Sequence, residues 1–341
     1  MTFSARHFLS LLEVVQHLNG PRRLIPLCDS HQEFLAAIPA GLPFLSGFEY
    51  HLSSLTRPCD ALVCFLTRDL SRFLQLSDSI DSDAIHLGQA HRASSLLLDF
   101  PSLLCQTDHV WFELDALPSQ SLSFFVGNHS SIQSTTERHL ILDESKALTR
   151  QWVSSFTSNK LPLFDFALAF DEFFLNSPDW LIAEVGIMDR ESSKAHVKLL
   201  LNPKKSTSFP EILDVYAKLF SASALALDRL RSSTLAEALN GFDCHCQLSI
   251  ALYVDRVVGA IEVLPTFKAD ELDEYEQLFR SILYSCSCLL GIGDFSDFDC
   301  ATHFIDLEGS CFSTRLHHLK ITPRSDGCWI PKIYRDLRLE A

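Results

Sequence analysis

The chain has 341 residues, a formal charge of −15, 47% apolar residues and 21% charged residues. That apolar content excludes a disordered chain, and the length lets it bury a core without crosslinks. The acidic balance excludes a global polyanion binder, because phosphate backbones are held by clustered Lys and Arg.

The 11 Cys are odd in number and follow no framework spacing. Cys64 and Cys105 sit inside apolar runs, as reduced thiols packing like small hydrophobes do. The first twenty residues are amphipathic and carry charges, unlike the unbroken apolar stretch of a secretory signal. No run of about 18 apolar residues appears, so no membrane-spanning helix is expected. A cytoplasmic protein that binds no nucleic acid is the expectation.

In chain order, the N-terminal region 1–45 is expected to hold two helices, around 6–18 and 31–38. Five times thereafter, two strand-like runs flank a short polar turn. These hairpins cover 48–67, 109–127, 181–202, 246–264 and 314–338. Their starts lie 61–72 residues apart, a repeat of pattern rather than of letters. The segments between them carry apolar residues at three-and-four spacing and read as helices. They are 68–76 and 82–100, then 143–158 and 163–174, then 210–239, then 269–291. Asp143 and Ser145 suit one helix start, and Pro210 suits the first turn of another.

The fold class expected is therefore α+β. About five α-β-β-α repeats give ten antiparallel strands, and closure of the sheet removes its exposed edges. Helices would cover the outer face, and a ten-stranded ring leaves room for a ligand lumen. Residues 1–341 read as a single barrel domain, since no Pro/Gly/Ser-rich linker divides them.

Strand parity assigns faces, because every second residue shares one. Leu181, Ala183, Val185 and Ile187 form an apolar face, which places Glu184 on the inner one. By the same rule His196, Lys198, Gln247, Ser249, Tyr253 and Glu262 face inward. His318, Lys320, Lys332, Tyr334, Asp336 and Arg338 follow, and Trp111, Glu113 and Asp115 share a face. His317 and His318 read as one packed and one polar strand residue. The inner surface so collected is either a lumen or the solvent side of an open sheet.

This constellation resembles the aromatic prenyltransferases of the α-β-β-α barrel type, over roughly 48–339. Lys332-Ile333-Tyr334, a Lys-x-Tyr on an inward strand, carries the resemblance. It implies transfer of an allylic prenyl group from a prenyl diphosphate to an aromatic or other nucleophilic acceptor, in natural-product or peptide modification. It implies that Lys198, Tyr253, Lys320, Lys332, Tyr334 and Arg338 bind the diphosphate. Only one complete Lys-x-Tyr is present, and Glu262 stands where a basic residue would be expected. Glu113 would orient the acceptor and take its proton, with Glu184 as the competing candidate. Trp111 and Phe125 would wall the pocket. No cofactor or protein-bound metal is implied, apart from a Mg2+ that can accompany the diphosphate. Two other readings stay open: a non-catalytic barrel for a hydrophobic ligand or peptide, and a cyclase or isomerase using a lumen carboxylate.

Other motifs carry less. Cys244-His245-Cys246 and Cys286-x-Cys288 lack the usual zinc spacing. Gly291-x-Gly293 follows a helix and lacks a third glycine. The acidic runs 269–277 and 294–299 read as a helix's first turn and a solvated loop.

Overall fold

The computed structural model describes residues 44–52, 60–66, 99–100, 107–115, 122–128, 134–154, 172–177, 179–188, 196–220, 224–253, 256–266, 272–290, 298–307, 309–323 and 328–340. The helices expected at 6–18, 31–38 and 68–76, most of those at 82–100 and 163–174, and the Gly291-x-Gly293 motif lie outside the described residues.

The described residues form eleven strands: β1 (Phe44–His51), β2 (Asp60–Leu66), β3 (Thr107–Leu114), β4 (Leu122–Asn128), β5 (Trp180–Met188), β6 (His196–Pro203), β7 (Cys244–Leu252), β8 (Val257–Pro265), β9 (His303–Leu307), β10 (Ser310–Pro323) and β11 (Trp329–Leu339). The pairings among these strands are antiparallel throughout. Each of β1 to β8 pairs with its successor, β8 pairs with β10, β10 with β11, and β11 with β1. That ring closes a ten-stranded barrel. The remaining strand, β9, pairs with the first half of β10 and lies outside the ring. All five expected hairpins form; β9 was not foreseen, because its five residues alternate too briefly to register as a strand.

Five helices have defined bounds: α1 (Thr135–Ser154), α2 (Phe209–Leu219), α3 (Ala224–Arg231), α4 (Thr234–Asn240) and α5 (Leu272–Leu290). Helix α1 begins eight residues before the expected start. The cause is a reciprocal cap: the Ser134 N–H donates to Glu137 Oε2 at 2.6 Å, and the Glu137 N–H donates to Ser134 Oγ at 3.2 Å. The long helical run expected over 210–239 is three helices. Ser233 restarts the last of them by accepting from the Ala236 N–H at 3.3 Å.

One strand face and the helices share a single apolar cluster. Phe48, Phe112, Phe124, Val185, Leu199, Leu248, Ile261, Leu319 and Ile333 come from the sheet. Ile212, Leu213, Leu230, Leu235, Phe279 and Ile282 come from the helices. Directional bonds fix helices to strands: Tyr216 Oη donates to the Gly259 carbonyl at 3.2 Å, Trp329 Nε1 to the Ala226 carbonyl at 2.9 Å, and Arg138 Nη1 to the Trp180 carbonyl at 2.9 Å. No described helix residue lines the cavity on the opposite strand face.

Among the described residues three β-bulges alter the simple parity, at Asp108, Ala183 and His317. The second corrects the reading of β5. Trp180 and Ile182 belong to the apolar cluster before the bulge and Val185 and Ile187 after it, so Leu181 and Ala183 are not on that face. Two residues there oppose one partner, and Ala183 and Glu184 both reach the cavity. The third bulge turns both His317 and His318 into the cavity, which corrects the expectation that one of them packs.

Candidate functional site

The closed sheet surrounds a cavity of about 360 Å³. Trp111, Glu113, Phe125, Glu184, Lys198, Tyr334 and Arg338 line it, together with Glu262, His318 and Asp336. The structure thus brings most of the expected site residues together. Lys320 and Lys332 stand on the same strand faces, held by neighbouring carboxylates. Tyr253 is the exception. It lies past the end of β7, its ring 4.4 Å from that of His196 and 4.2 Å from the Arg256 guanidinium.

Cross-strand rows position these groups. In one row Trp111 pairs with Phe125, Phe125 with Gly186, and Gly186 with Lys198. An ideal Cβ on Gly186 would lie 2.0 Å from the Phe125 ring, so the glycine lets that ring lie flat across β5. Lys198 Nζ then sits 5.0 Å from the Phe125 ring centroid. In the next row His109 pairs with Gly127, and Gly127 with Glu184. A Cβ on Gly127 would lie 1.7 Å from His109 Nε2. Through that space the imidazole crosses a whole strand, and Nε2 reaches Glu184 Oε1 at 3.3 Å.

Ion pairs run around the wall. Lys320 Nζ lies 3.1 Å from Glu262 Oε1 and donates to Ser249 Oγ at 3.1 Å, while Gln247 Nε2 donates to Glu262 Oε2 at 2.9 Å. Lys332 and Tyr334 both donate to Glu49, directly across the seam where β11 meets β1. Arg338 Nε donates to Asp336 Oδ2 at 2.8 Å, and His317 Nδ1 lies 3.4 Å from Asp336 Oδ1. The His318 ring stacks on Tyr334 at 3.9 Å.

Burial and neighbours set the charge states. Burial, Lys198 and Lys332 push the Lys320 ammonium down to about 8 against the pull of Glu262 and Glu49. Burial works against Lys198 too, but Glu262, Glu113 and Glu49 outweigh it and raise its pKa. Burial opposes the Glu262 carboxylate, and Lys320 and Lys198 nevertheless hold it well below the usual range. Burial pushes His318 down to about 3, with His317 adding to the effect, so its ring is neutral. Burial, then Glu49, keep the Tyr334 phenol protonated.

Glu49, Asp60 and Glu113 sit on adjacent strands, all buried, with one carboxylate oxygen of each within 4.8 Å of the others. Such a set of hard oxygen donors fits Mg2+ or Ca2+. A divalent ion there would neutralise buried negative charge. Cys244 and Cys246 instead join the apolar cluster, while His245 bonds Asn202 Oδ1 at 2.9 Å on the opposite face, so these three do not converge.

Sequence reasoning missed Glu49 and His109. The alternation Phe48-Glu49-Tyr50 carries the signal for Glu49, since both neighbours join the apolar cluster. For His109 the signal is Gly127, a glycine inside a strand at the position facing it.

The comparisons concern fold. The crystal structure of AnaPT from Neosartorya fischeri superimposes with a TM-score of 0.53 at 9% identity, covering 98% of this chain and 94% of that one. The fold is shared with AnaPT. Weaker likenesses are to NotF in complex with brevianamide F and DMSPP (TM-score 0.47, 11% identity, 86% and 79% coverage) and to 5-dimethylallyltryptophan synthase from Streptomyces coelicolor (0.43, 9%, 92% and 83%). No family model matches the chain, and no curated protein matches it. No helix among the described residues is long and apolar enough to cross a membrane.

Proposed function

We propose that the barrel is a prenyl-transferring enzyme, moving an allylic prenyl group from a prenyl diphosphate to an aromatic or other nucleophilic acceptor, in natural-product or peptide modification. The observation that carries this is the convergence of Lys198, Lys320, Lys332 and Arg338 on the inner face of a closed barrel whose cavity is walled by Trp111 and Phe125. The buried reduced thiols Cys64, Cys246 and Cys286 fit a cytoplasmic setting.

Ionisation of an allylic diphosphate separates a carbocation from a leaving group. Fixed cations stabilise the charge developing on that group, and they do so most strongly where water is excluded. Lys198 and Arg338 stand on the cavity wall for this task. Lys320 and Lys332 join when the diphosphate takes over from Glu262 and Glu49. The Trp111 and Phe125 π faces favour the cation. Glu113, on the same face two residues from Trp111, can accept a hydrogen bond from the acceptor.

Isothermal titration with dimethylallyl, geranyl and farnesyl diphosphates tests this reading. Binding of at least one, weakened by Lys198→Met, is expected; no binding by any of them removes the mechanism.

A second reading has its own observation. Glu49 and Glu262 already satisfy Lys332 and Lys320, as suits a non-catalytic barrel for a neutral hydrophobic ligand or peptide. Uptake of prenyl alcohols as tightly as prenyl diphosphates would favour it. A cyclase or isomerase would use the same lumen carboxylates on a single substrate, with no diphosphate requirement.

A further inference from the structure

Three features coincide at one place on the cavity wall. The β5 bulge at Ala183 turns Glu184 into the cavity. Gly127, inside β4, removes the only side chain that would stand between β3 and β5 in that row. His109 fills the vacated space and meets Glu184 at 3.3 Å. Its ring is buried yet lines the cavity, beside Trp111 at a centroid distance of 6.4 Å. A purely structural histidine needs neither a bulged partner strand nor a glycine beneath its ring.

We propose that His109 and Glu184 form the proton-accepting pair of the cavity, with His109 as the base and Glu184 as its positioning residue. This rests on the reading of the cavity as an acceptor site. It assigns Glu184 a different task from that of direct base, and leaves Glu113 to orient the acceptor.

The chemistry balances within the proposed reaction. The allylic C–O bond breaks and diphosphate leaves with its electron pair. The new bond forms between the allylic carbon and the acceptor. The acceptor's displaced proton passes to the imidazole, which becomes imidazolium. The Glu184 side chain stabilises that imidazolium and fixes the ring's tautomer and orientation. With Nε2–H donated to the carboxylate, the ring's lone pair resides on Nδ1. The titratable groups on the lumen faces around the pair are Glu113 on the same strand, Asp60 and Cys64 on β2, Glu184 on β5 and Lys198 on β6; described β4 positions 123–127 contribute none.

Two measurements test the pair. The first is transfer to a phenolic acceptor across pH. His109→Gln is expected to lower turnover by about 10²-fold with donor and acceptor affinities unchanged. Glu184→Gln is expected to lower it less and to move the acidic limb of the pH profile downward. Undiminished turnover in His109→Gln overturns the proposal. The second needs no donor: 4-nitrophenol is bound to the wild-type protein and titrated by absorbance. Its ionisation is expected at lower pH when bound, with the shift lost in His109→Gln and reduced in Glu184→Gln. Equal ionisation in all three proteins, or no binding of the phenol, overturns the pair. A shifted phenol without transfer from any prenyl diphosphate keeps the pair and removes the prenyl reading instead.

Discussion

At the scale of single residues, Gly127 controls the wall of the cavity more than its size suggests. Any Cβ there displaces the His109 ring. Gly127→Ala is therefore expected to separate His109 from Glu184 and to destabilise the protein by about 1–3 kcal/mol, as overpacking does. Urea unfolding gives the energy, and the His109 imidazole resonance in NMR titration reports the lost carboxylate. Lys320 carries the clearest pH dependence. Its pKa is lowered from 10.5 to about 8 in the folded chain. Between those values the unfolded chain binds the proton that the folded chain has released, so stability rises with pH across this window. Anion binding runs the other way. Prenyl diphosphate affinity is expected to fall as pH rises through about 8, and binding near that pH to take up a proton, seen by calorimetry in two buffers of different ionisation enthalpy. The cavity-facing positions of Trp111, Glu113, Lys198, Tyr334 and Arg338 were legible from alternation alone, because β3, β6 and β11 run without a bulge at those positions. Tyr253 was misjudged as a strand residue because the strand stops one residue earlier, at Leu252.

At the scale of elements, the hairpins were readable because each pairs an apolar face with a polar one over seven to fourteen residues. The bulges were not. A bulge leaves no local mark in a run such as LIAEVGIM, where Ala183 suits either face, and only the register with β6 reveals it. Arg335 was likewise hidden. It points with Ile333 and Leu337 to the apolar face, buried, and its guanidinium donates to the Ala301 carbonyl at 3.2 Å and to that of Asp299. It thereby ties the segment before β9 to β11. Arg335→Met keeps the length of the stem and removes the donors. The expected cost is about 2–3 kcal/mol, the value of charge-assisted bonds to buried acceptors. A lower urea midpoint and faster hydrogen exchange in β9 than in β4 would bear this out; uniform exchange would not.

At the scale of the whole molecule, closure joins residues almost 300 positions apart. Lys332 and Tyr334 both bond Glu49 across sequence separations of 283 and 285. Glu49 is buried and Lys332 partly so. Glu49→Leu leaves the Lys332 charge without this partner at the seam, and a loss of about 3–5 kcal/mol is expected. Restoration by adding Lys332→Met would show that the charge, not the packing, is responsible. The −15 balance of the chain also acquires a place, since the cavity itself carries Glu113, Glu184, Glu262 and Asp336 beside its cations. Those carboxylates make the diphosphate the decisive question. An experimental structure of the protein with a prenyl thiodiphosphate, which resists ionisation, addresses it most directly. The expected result is a diphosphate inside the barrel within hydrogen-bonding distance of Lys198 and Arg338, with Lys320 turned from Glu262 toward it. An analogue bound outside the barrel, or an empty lumen with every lysine still on its carboxylate, would contradict the account.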